Sequence, residues 1–210
     1  MTTRRSLLAA TALTAAGAGA ASGWKPLFNG KNLDGWEKVG DGVWGVMDGG
    51  ILVGDRTPGE SHDQAWVYTV KEYGQFDLEL DFWTRLGGNS GVSLRDATRG
   101  KYAVYPNHDR ERTPSHNGYE IQISNAYKND PYPTGSIYLF EKAKTGMQKP
   151  MGWNRLLIES RNEIMRVHLN GEKICEHAGD PARPKSGPIG LQLHDPQSVV
   201  MFRNIRIREL

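Results

Sequence analysis

The chain contains a single cysteine, Cys175, so neither an internal disulfide nor a cysteine-based zinc site can hold it together. Its stability must come from a buried apolar core. It also has no net charge once the leader expected at its start is set aside. That leader carries Arg4 and Arg5 and no acid, so its removal takes 26 bases against 24 acids to 24 against 24. A neutral chain has no electrostatic footprint for nucleic acid or an anionic membrane, and neither is expected as a partner. No stretch keeps a 3.6-residue apolar period, which points away from helices. The G-x-S-x-G elbow, the P-loop, the dinucleotide fingerprint and the zinc-protease helix are absent as well.

Residues 1–23, MTTRRSLLAATALTAAGAGAASG, join a basic start to an alanine- and leucine-rich run that ends in the small residues Ala18-Gly19-Ala20. This is the pattern of a secretory signal cut near Ala20. Arg4-Arg5 ahead of Ser6-Leu7-Leu8 resembles a twin-arginine signal, which exports folded proteins. The apolar run is short for a membrane span, and no membrane insertion is expected. The mature protein is therefore expected in the periplasm or outside the cell. Residues 24–210 suffice for one sizeable domain and are short for two.

Twenty-five glycines and eleven prolines cut this region into short apolar runs, the signature of an all-β fold. Alternation is clearest in Phe76 to Phe82, Gly91 to Arg95, Tyr119 to Ser124, Leu156 to Glu159, Met165 to Leu169 and Val199 to Ile207. Asn170-Gly171 is a two-residue hairpin signal, because both residues tolerate the positive φ of a type I′ turn. Asp48-Gly49-Gly50 reads as another tight turn. Long loops are expected over Thr98–Asn117, Ala126–Thr134 and Glu141–Gly152, the first of them polar and of a length that is often functional. About a dozen short strands with such loops predict two antiparallel sheets packed face to face, a jelly-roll or lectin-like sandwich with one concave sheet face as the site.

Strand parity then sorts polar from apolar residues. Val92 and Leu94 share one side while Ser93 and Arg95 share the other. Glu120 and Gln122 oppose Tyr119 and Ile121, and Gln192 and His194 alternate with Ile189, Leu191 and Leu193. If the three strands are neighbours, Arg95, Glu120, Gln122, Gln192 and His194 converge on one patch with a cation, a carboxylate, two amides and an imidazole. Taken strand by strand, each pair reads equally well as the wet side of an amphipathic strand, as Asp77, Glu79 and Asp81 do. His108 and His116 lie in the long polar loop, where they could reach over a pocket or bind a metal, but they fit no metal spacing and read rather as solvated loop residues; His62-Asp63 is ambiguous. Trp36, Trp44, Trp66 and Trp153 read as core fillers.

The segments LFNGKNLDGW, WGVMDGGIL, YGQFDLELDFWTRLGGNSGVSLR, YEIQI, TGSIY, WNRLLIESRNEIMRVHLNGEKI and GPIGLQLHDPQSVVMFRNIRIREL together resemble the 3-keto-disaccharide hydrolase domain family. The resemblance runs through nearly all of residues 24–210. It implies a concanavalin-type sandwich, frequently exported, that cleaves glycosides whose glucose has been oxidised at carbon 3. The ketone acidifies the C2 proton, so a base can remove it and the C1 substituent can leave by β-elimination, with or without water adding back. The family's N-S-G…R segment falls on Asn89, Ser90, Gly91 and Arg95, its E-x-Q-I strand on Glu120 and Gln122, its T-G-S-I-Y segment ends on Tyr138, and its L-Q-x-H segment falls on Gln192 and His194. This implies Glu120 or His194 as the base, with the other assisting the leaving group or a metal. Asn89, Ser90, Arg95, Gln122, Gln192 and Tyr138 would bind the substrate. A divalent ion on the C3 carbonyl fits the chemistry, with Glu120 and His194 the evident ligands. The chain departs from the family at Leu139–Lys144 and in the charged Thr98–Asn117 insertion. The competing reading is a non-catalytic, lectin-like carbohydrate-binding module on the same fold.

Overall fold

The structure is a computed structural model that describes residues 23–56, 63–125 and 131–210. The expected leader lies outside the described residues, apart from Gly23. The strands are β1 (Lys25–Pro26), β2 (Trp36–Val39), β3 (Val43–Met47), β4 (Ile51–Asp55), β5 (Ala65–Thr69), β6 (Phe76–Thr84) and β7 (Asn89–Leu94). After the short helix α1 (Pro114–Asn117) come β8 (Tyr119–Ser124), β9 (Asn154–Arg161), β10 (Ile164–Leu169), β11 (Glu172–His177), β12 (Ile189–Leu193) and β13 (Val200–Glu209). They form two antiparallel sheets, as the alternation predicts. The larger runs β11-β10-β9-β6-β13-β4-β3 with β1 also paired to β13, and the smaller runs β2-β5-β12-β7-β8.

Between the sheets lies one apolar core. Leu78, Leu80 and Phe82 of β6 and Phe202 of β13 meet Val92, Leu94, Ile121, Ile123, Leu191 and Leu193 from the smaller sheet. Each is fully buried, a contribution of about 1.5–3 kcal/mol per side chain. Trp36 and Trp44 join this core as expected. Trp153 does not: it is half-buried on the outside of the larger sheet, with the Arg203 guanidinium 4.0 Å over its ring. Trp66 is fully buried but lies on the other face of its sheet, away from the core. The β10–β11 turn has Asn170 at φ 52° and Gly171 at φ 94°, the left-handed pair that the dipeptide signals.

The acidic side of β6 is not the wet surface its parity suggests. Asp77 and Asp81 are buried, because the flanking strands β9 and β13 place arginines over them. Arg161 Nε donates to Asp77 at 2.7 Å and Arg208 Nε at 2.9 Å, while Arg155 Nε and Asn204 Nδ2 donate to Asp81 at 3.0 and 2.7 Å. Asn204 reaches Asp81 from a register shift in β13, where its own φ is 54°. Burial pushes the Asp77 carboxyl up, but the hydrogen bonds and charge of Arg161 and Arg208 outweigh it and hold the group below the ordinary carboxylate range.

A depressed carboxylate stabilises the fold above its unfolded pKa and loses that contribution as pH falls through the folded value. Asp77→Asn is therefore expected to cost about 2 kcal/mol in urea unfolding at pH 7, discounted for the half-exposed arginines. The loss should shrink by pH 3, and an equal loss at both pH values would contradict the ion-pair account.

Candidate active site

The outer face of the smaller sheet is where parity and register bring distant residues together. Ser93 pairs with Glu120 and Gly91 with Gln122 across β7 and β8. Gly190 pairs with Ser93 across β12 and β7, and β5 sets Trp66 beside Gln192 and Tyr68 beside Gly190. All of these point away from the core, so one face carries two aromatics, a carboxylate, two amides and a floor of small residues. The small residues let larger side chains lie flat across them. A Cβ on Gly91 would sit 2.6 Å from Glu120 Oε1, and one on Gly190 would sit 2.3 Å from the Tyr68 ring. Glu120 therefore leans from β8 across β7.

The polar Thr98–Asn117 segment, expected as an open loop, folds back over half of this face and includes a 3-10 turn at Lys101–Ala103 as well as α1. Asp96 anchors it: Oδ1 accepts from the Thr98 amide at 2.9 Å and its hydroxyl at 2.6 Å, and Oδ2 accepts from the Gly100 amide at 2.7 Å. Gly100, at φ 69°, presses against Trp66 and Tyr68, and Val104 completes a small apolar cluster with them. The two rings stack at 5.5 Å. What remains open is a cavity of about 500 Å³. Glu120, Gln122, Asn89, His194 and Tyr138 line it together with Asp63, just before β5, and with His108, Arg110, Thr113 and His116 of the loop. Tyr138 is held there because residues 135–138 run beside β8: the Tyr138 amide donates to the Glu120 carbonyl at 2.9 Å and the Gln122 amide to the Ser136 carbonyl at 2.9 Å. Its ring packs on Tyr132 at 4.7 Å.

Glu120 is the electrostatic centre of the cavity. It is 5% exposed, and burial pushes its pKa from 4.5 up to about 7, with His194 and Gln192 pulling part of the way back. The Gln192 amide is close enough to favour the ionised carboxylate, yet neither of its polar atoms meets a partner in hydrogen-bond geometry. His194 is partly exposed, and its Nδ1 lies 3.4 Å from Asp195 Oδ2.

Of the residues expected at the site, Glu120, Gln122, Asn89, His194 and Tyr138 share the cavity, and Gln192 lies buried beside Glu120. Ser90 falls on the core face and donates from Oγ to the Gln192 carbonyl at 2.7 Å, bracing β12 from behind. Arg95 is not brought to the cavity. It follows the last residue of β7 with φ 62°, which breaks the alternation, and its Nη2 donates to Ser160 Oγ at 2.6 Å and to the Gly74 carbonyl at 3.2 Å. His108 and His116 both line the cavity, His108 while still exposed and His116 partly buried, as residues of a long polar loop that could reach over a pocket. His62 lies outside the described residues. Among the described residues no three His, Cys, Asp or Glu side chains are grouped to hold a metal, so Glu120 and His194 do not make a fitting site for a divalent ion.

The model of the 3-keto-alpha-glucoside-1,2-lyase-like domain matches residues 23–208. The chain belongs to this family. A crystal structure from Parabacteroides distasonis, provisionally assigned as a glycosyl hydrolase, shares 30% identity at a TM-score of 0.70 and covers 89% of this chain and 99% of its own. A second one from that organism, with the same provisional assignment, shares 25% identity at a TM-score of 0.70 over 90% of this chain and 94% of its own. A Bacillus subtilis protein of unknown function with a galectin-like fold aligns at a TM-score of 0.62 and 13% identity, over 89% of this chain and 94% of its own, and shows the fold alone. No curated protein matches the chain significantly. This 3-keto-alpha-glucoside-1,2-lyase-like domain is thus a carbohydrate-active jelly roll.

The folded domain keeps the Glu120 proton up to about pH 7, whereas the unfolded chain releases it near 4.5, so stability falls as pH rises between those values. Glu120→Gln removes this penalty. The variant should be more stable than the parent at pH 8 by on the order of 3 kcal/mol and equal to it near pH 4. Superimposable urea curves at pH 8 would contradict a buried charge at this position.

Proposed function

We propose that the protein is an exported enzyme that cleaves glycosides of 3-keto-glucose by β-elimination. The observation that carries this reading is a buried carboxylate, Glu120, poised near neutrality on the floor of a sugar-sized cavity. A proton α to a ketone needs a base whose pKa lies near the working pH, and positioned proton transfer of this kind is worth roughly 10²–10⁴-fold. Glu120 takes the C2 proton, and the electron pair passes into an enolate on the C3 oxygen. Collapse of the enolate restores the ketone, forms the C1–C2 double bond and expels the C1 oxygen substituent. Water adding across that double bond completes a net hydrolysis. Gln122 and Asn89 hold the sugar hydroxyls, His194 keeps the Glu120 carboxylate ionised enough to accept a proton, and Tyr138 flanks the ring. This route needs neither an oxocarbenium ion nor the opposed carboxylate pair of ordinary glycosidases.

A lectin-like module would offer exposed aromatics to its sugar. Here the two large aromatics of the face, Trp66 and Tyr68, are fully buried beneath the loop, and the cavity is instead furnished with titratable groups.

Incubation with 3-keto-trehalose, 3-keto-lactose and a 3-keto aryl glucoside, followed by mass, should release the aglycone together with a keto sugar that is one water lighter or its hydrated form. Glu120→Gln should abolish this turnover with an unchanged circular dichroism spectrum, and kcat of the parent should rise with pH through about 7. Unchanged activity in the variant would sink the assignment. Gly91→Ala, which crowds Glu120 Oε1, should cost roughly 10²-fold in kcat, the usual penalty for a base displaced by about 1 Å; full activity would show that the carboxylate need not lie where Gly91 seats it.

A further inference from the structure

The elimination described above leaves one requirement unmet. The oxygen expelled from C1 departs with an electron pair, and an alkyl or sugar alkoxide is a poor leaving group unless a proton reaches it. We propose that His108, oriented by Asp63, is the acid that protonates this oxygen; the assignment rests on the β-elimination reading. His108 Nδ1 lies 2.6 Å from Asp63 Oδ1. A carboxylate on Nδ1 fixes the tautomer and ring orientation and leaves Nε2 as the nitrogen that exchanges protons, the arrangement by which histidines are prepared for acid–base work.

Register places this pair at the correct end of the cavity. Leu193 of β12 pairs with Ala65 of β5, so the residues just before Ala65, Asp63 among them, run alongside those just after Leu193. Glu120 stands on β8, three strands from β5 in the order β5-β12-β7-β8. Through Ser93 and Gly190 it is level with Tyr68, five residues along β5 from Asp63. The two backbones therefore stand roughly 20 Å apart on the diagonal, and the Glu120 and His108 side chains reach toward each other across the one cavity that both line. A base on one side and an acid on the other is what removal of the C2 proton and departure of the C1 oxygen require.

The other donors on the loop wall serve less well. His116 Nδ1 bonds the Thr113 hydroxyl at 2.8 Å rather than a carboxylate, and Arg110 cannot give up a proton in a protein. His194 Nδ1 also faces a carboxylate, Asp195, but at 3.4 Å rather than 2.6 Å, and its charge acts on the base, Glu120. The balance then closes: Glu120 gains the C2 proton, His108 Nε2 gives one to the leaving oxygen, and exchange with water resets both.

The test varies the leaving group. Nitrophenolate departs without help, whereas methoxide does not, so methyl and nitrophenyl 3-keto-glucosides should respond differently. His108→Ala is expected to lose roughly 10²–10⁴-fold in kcat/KM on the methyl glycoside and less than about tenfold on the nitrophenyl one. Asp63→Asn should show the same asymmetry to a smaller degree, since it disturbs only the orientation of the ring. His108→Ala should keep the parent's melting temperature, because His108 lies in an exposed stretch of the loop. Equal losses on the two substrates, or none on either, overturn the role of His108. A parent enzyme that turns over neither substrate overturns the elimination reading itself.

Discussion

The site depends on one costly arrangement, a carboxylate buried in the face of a sheet whose charge, among the described residues, is offset by an imidazole and an amide. Elsewhere in this protein buried acids are matched. Asp77 and Asp81 each take two or more cationic or amide donors and titrate below the ordinary range. Among the described residues Glu120 is favoured as the anion by an imidazole and an amide, and burial wins, lifting its pKa to about 7. The contrast is within one chain and one fold. The acids of the larger sheet are arranged for stability, whereas the acid of the smaller sheet gives up stability for a proton affinity that suits catalysis.

The surrounding fold secures that arrangement. Gly91 and Gly190 clear the space in which Glu120 and Tyr68 lie flat across neighbouring strands. The loop anchored by Asp96 then covers Trp66 and Tyr68, so the apolar half of the face is sealed and the polar half becomes a cavity. Residues 135–138 close the β8 side and carry Tyr138 into the wall. The carboxylate is thereby left 5% exposed, and that desolvation is the main cause of its raised pKa.

Much of this was legible in the sequence, because period-2 alternation reports both the fold and the two faces of each strand. Parity put Glu120, Gln122, Gln192 and His194 on the polar side of their own strands, and the pairing of β7 with both β8 and β12 is what joins those sides into one face. Arg95 could not be placed this way, because a single left-handed residue after Leu94 ends the alternation and sends the side chain to Ser160 instead. Asp77 and Asp81 were misread for a related reason. Parity says which face a residue is on, but not whether arginines from β9 and β13 will cover it. His108, His116 and Asp63 could be singled out but not placed, because they sit outside regular strands, where spacing carries no geometric information. Trp66 was recognisable as buried, yet what buries it is a polar loop whose fold no periodicity reports.

The most direct test of this account is the titration of Glu120 itself, by carbon-13 NMR of protein labelled at the glutamate side-chain carboxyls, with Glu120→Gln identifying the resonance. A midpoint near 7 is the result expected for a carboxylate held by burial. A midpoint near the ordinary value of 4.5 would mean that the group is solvated, and the account of a buried base would fail with it.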